Sequence, residues 1–269
     1  MIEPPGEPYT FLQELSLACF WYRQPNYQKS EPSPQATKTK VGVLFSGGKD
    51  STYAAWLASK KDDVVCLITL FSKSDASYMF HYPNSRWTSL QSEAMGLPQV
   101  TTDTAGVKEE ELEDLSHALG AAKDRYGVEG IYTGALASVY QKTRVERICE
   151  KLGLACISPL WGVDPETHLR KLLIDGFTSV VVSVSALGLD ESWLGRTLDG
   201  AAIDELVALG ARYKFHVALE GGEGETFVTD CPLFARAIRI DESAKHWKGD
   251  SGYLEILHAT LVPKPSGKA

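Results

Sequence analysis

A strand-like run, Val41-Gly42-Val43-Leu44-Phe45, leads straight into Ser46-Gly47-Gly48-Lys49-Asp50-Ser51 and then into a helical segment. These residue types suit the grip of a phosphate. Gly47 and Gly48 permit backbone conformations closed to other residues and let the main chain approach an anion closely. The helix N-terminus that follows offers N–H groups and a partial positive charge. Lys49 adds a point charge, and the hydroxyls of Ser46 and Ser51 add donors. Asp50 either caps the helix or helps to hold a magnesium ion. The spacing is not that of G-x-x-x-x-G-K-[ST], because Asp50 stands in the Ser/Thr position. A Gly-rich turn with a solvated lysine would need no ligand, yet strand, turn, cation and helix all agree on a phosphate.

Further chemistry gathers in Glu220-Gly221-Gly222-Glu223-Gly224-Glu225-Thr226. Three carboxylates beside three glycines repel one another, and a bound cation would relieve them; a solvated acidic turn is the plainer alternative. In Gly134-Ala135-Leu136-Ala137-Ser138-Val139-Tyr140-Gln141-Lys142-Thr143-Arg144, Tyr140 and Arg144 lie four apart on one helix face, with Gln141 adjacent. That spacing serves either a surface ion-pair helix or an arginine aimed at phosphates. His81 and Asn84 follow the second expected strand, where a nucleotide or substrate carboxylate would be met. Trp161, Trp193 and Tyr140 offer aromatic faces to a cation, or simply to a core.

The elements that must position these residues begin at Lys40. Apolar runs predict strands over 41–45, 64–70, 98–102 and 130–133, alternating with helices over 51–59, 85–95, 108–126 and 139–152. Strand followed by helix, repeated, implies an α/β fold with a parallel sheet and functional loops at the strand C-terminal ends. Gly153 reads as a helix stop. An apolar segment over 154–157, helices over 165–175 and 199–209, and strands over 179–184, 215–219, 226–229, 234–240 and 253–261 follow. Successive strands without helices imply antiparallel pairing, so a second, α+β domain is expected from residue 138. Residues 1–39 carry six of the 13 prolines and read as an extension, with one short helix over 11–22. The expected division is 1–39, 40–137, 138–263 and a tail over 264–269.

Composition narrows the classes. With 269 residues, 43% of them hydrophobic and 23% charged, the chain can bury a full core and is neither a disordered nor a fibrous one. A net charge of −8 has the wrong sign for a general nucleic-acid binder. No apolar run reaches the roughly 20 residues of a membrane span, and the start lacks the charge pattern of a secretory signal. A cytoplasmic protein without a membrane or direct nucleic-acid partner is expected. Five cysteines without a C-x-x-C pair suggest neither a disulfide framework nor a zinc site.

The Ser46 to Ser51 loop resembles the PP-loop of ATP pyrophosphatases. With the outer phosphates gripped as leaving group, the α-phosphorus faces the second substrate. Together with Ser77-Tyr78-Met79-Phe80-His81-Tyr82-Pro83-Asn84, the Gly134 to Glu146 stretch, Pro159-Leu160-Trp161, Trp193-Leu194-Gly195, the Glu220 to Asp230 stretch and Gly249-Asp250-Ser251-Gly252-Tyr253, it resembles the diphthine–ammonia ligase family in its compact archaeal-type form. The resemblance runs from about Lys40 to Val262; Leu219 and Gly224 stand where that family commonly has a glycine and an aromatic residue.

That resemblance implies a HUP-type, Rossmann-like nucleotide domain followed by a substrate domain. It implies ATP, with Mg2+, amidating the diphthine carboxylate of translation elongation factor 2 with ammonia through an acyl-adenylate, and releasing AMP and pyrophosphate. Ser46, Gly47, Gly48, Lys49, Asp50, Ser51, Gly134 and Ala135 would bind the nucleotide, Asp50 also the metal. Lys49, Arg144, Glu220 and Glu223 would act on the reacting groups, and His81, Asn84, Tyr140, Gln141, Trp161, Glu225 and Thr226 would meet the substrate. The expected partners are the modified factor and ammonia, with a homodimer left open. Another PP-loop adenylating enzyme, such as a tRNA-modifying one, and a non-catalytic nucleotide sensor are the alternatives.

Overall fold

The first sheet is built outward from its most buried strand. In the computed structural model, which describes residues 38–72, 84–105 and 110–264, Val41 and Val43 of β1 (Lys40–Leu44) are fully buried. β1 is flanked in parallel by β2 (Asp63–Ser72) and β4 (Gly130–Tyr132). β3 (Gln99–Thr104) and β5 (Ala155–Ile157) complete the order β3-β2-β1-β4-β5. The chain winds one way from β1 to β3 and then returns to β4, so the crevice beyond the C-terminal ends of β1 and β4 is the topological switch point.

Helices α1 (Lys49–Lys61), α2 (Thr88–Met95), α3 (Glu110–Tyr126) and α4 (Val139–Leu152) make the connections. A 3-10 turn over Asn84–Trp87 leads into α2. Ser138 caps α4 by accepting from the Gln141 N–H, and Gly153 ends it at φ 63°. The parallel sheet continues past residue 138, where a division was expected. α4 and β5 continue the parallel alternation, because β5 pairs with β4 and the strand needs a crossover helix to reach it.

Beyond β5 come α5 (Pro165–Ile174), β6 (Thr178–Val184), α6 (Gly200–Tyr213), β7 (Gly224–Asp230), β8 (Ala237–Lys248) and β9 (Ser251–Val262). The strands form an antiparallel sheet in the order β7-β6-β9-β8. The expected strand over 215–219 is absent. Lys214 leaves α6 in the left-handed conformation, and the Leu219 N–H donates to the His216 carbonyl in a turn. The strand expected over 234–240 starts later and runs to Lys248, since Cys231 to Phe234 form a turn of their own. The expected helix over 11–22 lies outside the described residues.

Helices of the first half share a core with the second sheet, while the parallel strands pack into two clusters of their own. Tyr53 of α1 and Ala94 of α2 pack with Val181, Trp193, Ile203 and Phe227 of the second half. Polar bonds then fix the register between the halves. The Gln91 amide Nε2 donates to the carbonyls of Gly47 at 2.9 Å and Val228 at 2.8 Å, and the Val228 N–H donates to the same Gly47 carbonyl. Gln91 is fully buried, so a lost donor there cannot be replaced by bulk water. Gln91→Leu is expected to cost about 1–3 kcal/mol, read as a lower urea midpoint with unchanged slope; an unmoved midpoint would show that the bridge does not join the halves.

Candidate active site

The loop after β1 is knit by its own hydroxyls. Ser51 Oγ accepts from the Ser46 N–H at 3.2 Å and donates to the Gly48 carbonyl, while the Ser46 and Ser51 hydroxyls stand 3.1 Å apart. Gly47 has φ 81°, and a Cβ there would lie 2.3 Å from Gln91 Oε1, so both backbone and space demand glycine. Gly48 opens α1 without a side-chain cap. Instead Thr226 Oγ1 of β7 accepts from the Lys49 N–H at 3.1 Å, across 177 residues of sequence.

The facing wall is Thr133, Gly134 and Ala135, just after β4. A Cβ on Gly134 would lie 2.6 Å from the Ser51 nitrogen and 2.7 Å from the Asp50 carbonyl carbon. Only glycine lets this segment lie against the start of α1. Between the walls is a cleft whose empty space, its open mouth included, is about 880 Å³. Phe45, Ile68 and Leu70 supply apolar lining, and Gln141 and Lys142 of α4 line it from the side.

Its charges are arranged as a chain. The buried Lys49 ammonium donates to Asp50 Oδ2 at 2.8 Å, and Asp50 Oδ1 lies 2.7 Å from Nε2 of the buried His168. Burial pushes the Asp50 carboxyl up, but Lys49 and His168 together outweigh it and hold it below the ordinary carboxylate value. Across the cleft, Glu220 Oε1 accepts from the N–H groups of Leu136 at 2.9 Å and Ala137 at 3.4 Å. Burial and then the Asp50 charge push the Glu220 carboxyl up, against the pull of those N–H groups and Lys49. One carboxylate is thus kept ionised and the other made a better proton acceptor.

The expected site residues fall into two groups. Ser46, Asp50, Ser51, Gly134, Ala135, Gln141 and Glu220 line the cleft, with Gly47, Gly48 and Lys49 forming its loop. The others have different surroundings. Both Glu223 oxygens accept backbone N–H groups, from His216 at 2.9 Å and Gly221 at 2.6 Å, so this carboxylate braces the turn that presents Glu220. Thr226 clamps the loop. Asn84 bridges the Leu254 carbonyl and the Ile256 N–H of β9.

The Arg144 guanidinium lies over the Tyr140 ring at 3.5 Å. Trp161 is half-exposed, with the Lys142 ammonium 5.1 Å from its ring centre, and Glu225 lies on β7 opposite Ser183. His81 lies outside the described residues. Asp50, read as a metal ligand, is already paired through both oxygens. Among the described residues no three His, Cys, Asp or Glu side chains gather to hold an ion.

Sequence reasoning missed Lys142, Thr133 and His168. Lys142 carried a legible signal, an i,i+4 pairing with Glu146 beside Gln141. Nothing in the sequence around His168 marks it, because its partner lies 118 residues away.

The family model for the diphthamide synthase N-terminal domain matches residues 39–156, and that for the C-terminal domain matches residues 164–262. Among curated relatives, the diphthine–ammonia ligase of Homo sapiens is 36% identical over 227 residues, covering 76% of this chain and 84% of that protein. Its Mus musculus counterpart is 35% identical, covering 82% of this chain and 90% of that protein. A solved chain from Methanocaldococcus jannaschii, described as a predicted subunit of tRNA methyltransferase, is 18% identical with a TM-score of 0.41, covering 72% of this chain and 98% of that one, a likeness too slight to carry an argument. Both family models lie on the chain in order and meet between β5 and α5, where the parallel sheet ends: the chain belongs to the diphthamide synthase family.

Proposed function

We propose that this protein is a diphthine–ammonia ligase, using ATP and ammonia to convert the diphthine carboxylate of translation elongation factor 2 into the amide. The observation that carries the reading is the Ser46 to Ser51 loop at the switch point, with Glu220 facing it across the cleft. The relatives' shared name supports the substrate class.

In this reading the loop and Lys49 take the outer two phosphates of ATP. A carboxylate oxygen of diphthine attacks the α-phosphorus, the bond to the bridging oxygen breaks, and pyrophosphate leaves. Ammonia then attacks the acyl carbon and AMP departs with the bonding electrons. Glu220, with its raised proton affinity, accepts the proton from ammonium. Asp50 stays ionised to orient Lys49. Magnesium, entering with the phosphates, would neutralise their charge while held chiefly by them and by water, since Asp50 is committed to Lys49 and His168 and Glu220 to the proton.

The direct assay supplies ATP, ammonium and diphthine-bearing factor, and reads the carboxyl-to-amide mass change together with AMP. Amide formed with ADP would overturn the mechanism, and ATP bound without any AMP would favour a nucleotide sensor. Glu220→Gln keeps an oxygen for the Leu136 and Ala137 N–H groups but cannot take a proton. Amidation is expected to fall by about a hundredfold or more with ATP affinity unchanged, and normal turnover would remove Glu220 from the chemistry.

The same substitution has a stability signature. The raised carboxyl favours folding at acid pH, and that contribution is lost as pH rises through its folded value. Glu220→Gln should therefore not lower the melting temperature at neutral pH; a lower one would contradict the burial argument. Gly134→Ala forces the backbone of Asp50 and Ser51 to shift and should abolish ATP binding by titration calorimetry, whereas retained affinity would show that the close approach is dispensable.

A further inference from the structure

His168 is the one member of the charge chain that comes from the C-terminal half. It sits on α5, with only 1% of its surface exposed, behind the Asp50 carboxylate and away from the cleft lining. An ionised Asp50 can only accept, so Nε2 carries the proton in that 2.7 Å contact. The ring is itself held. Tyr53 packs edge-on at 5.5 Å, and its hydroxyl donates to Asp175 just after α5 at 2.6 Å. Leu169 and Leu172 of the same helix are buried in the core that the second sheet shares with α1 and α2. A leucine at 168 would suit such surroundings, whereas a buried imidazole needs a partner.

We infer that His168 is a positioning residue for the phosphate loop: by donating to Asp50 Oδ1 it fixes the carboxylate so that Oδ2 directs the Lys49 ammonium toward the outer phosphates of a bound nucleotide. The inference rests on reading the loop as a nucleotide phosphate site. Asp50 has two oxygens and two partners, one on each. With the donor on Oδ1 removed, the carboxylate is free to rotate about its last bond, and Lys49 follows it. On that reading Lys49 meets the outer phosphates and not the adenosine, so the effect is expected for the outer phosphates alone.

The test compares ATP with AMP, which lacks the outer phosphates, by titration calorimetry on the full chain. His168→Leu is expected to weaken ATP binding by about tenfold and leave AMP binding unchanged. His168→Gln, which keeps an N–H donor, restores ATP affinity. Should the leucine variant not fold, His168→Asn, too short to reach Asp50, takes its place. Equal losses for ATP and AMP, no loss for either, or a glutamine variant as weak as leucine would each overturn the inference by reducing His168 to packing. Wild-type protein that prefers ATP to AMP yet amidates nothing refutes the proposed activity alone, while wild-type protein with no preference for ATP refutes this inference as well.

Discussion

The approach of β7 to the start of α1 is the constraint on which the rest of the structure depends. Gly47 and Gly48 give their carbonyl and their space to a strand from the other sheet, and Thr226 takes the first N–H of the helix. A phosphate loop in an open α/β sheet is commonly finished by its own strand and helix. Here the second sheet forms its outer support. The glycines therefore answer to two demands at once, the turn into the helix and the backbone that lies against it.

That support also explains the electrostatics. With β7 and α5 in place, Lys49, Asp50 and His168 lie in a water-poor layer beneath the loop, where charges interact more strongly than at the surface. Glu220 faces Asp50 across the cleft from the turn before β7. That turn is itself unusual, because Leu219 adopts φ 60°, a conformation that glycine reaches without strain. Its side chain is buried, so packing offsets what the backbone loses. The turn thus keeps, at a leucine, the left-handed form that glycine would favour.

Much of this was legible in the sequence, for physical reasons. The phosphate loop and the parallel sheet show because both are local: a strand, a turn and a helix N-terminus fall within a dozen residues. Gly134 was marked only by the family resemblance. The roles of Glu223, Thr226 and Asn84 were not legible, since each side chain pairs with backbone whose position the fold alone decides. β8 escaped because its outer half, an edge strand rich in charge, lacks the alternation of a buried face. The stretch from Phe215 to Leu219 has a strand's composition, but capping at Lys214 and the Glu223 brace bend it into a turn.

The clamp between Thr226 and the loop has a consequence for the order in which the molecule is made. When a growing chain has emerged from the ribosome as far as Ile157, all five parallel strands are present and able to pair. The nucleotide pocket is still unfinished at that stage, for β7 has yet to be synthesised. On the proposed function, competence to grip ATP arrives late in translation, together with Glu220, so a nascent half-protein would not consume nucleotide before the group proposed to handle the second substrate exists.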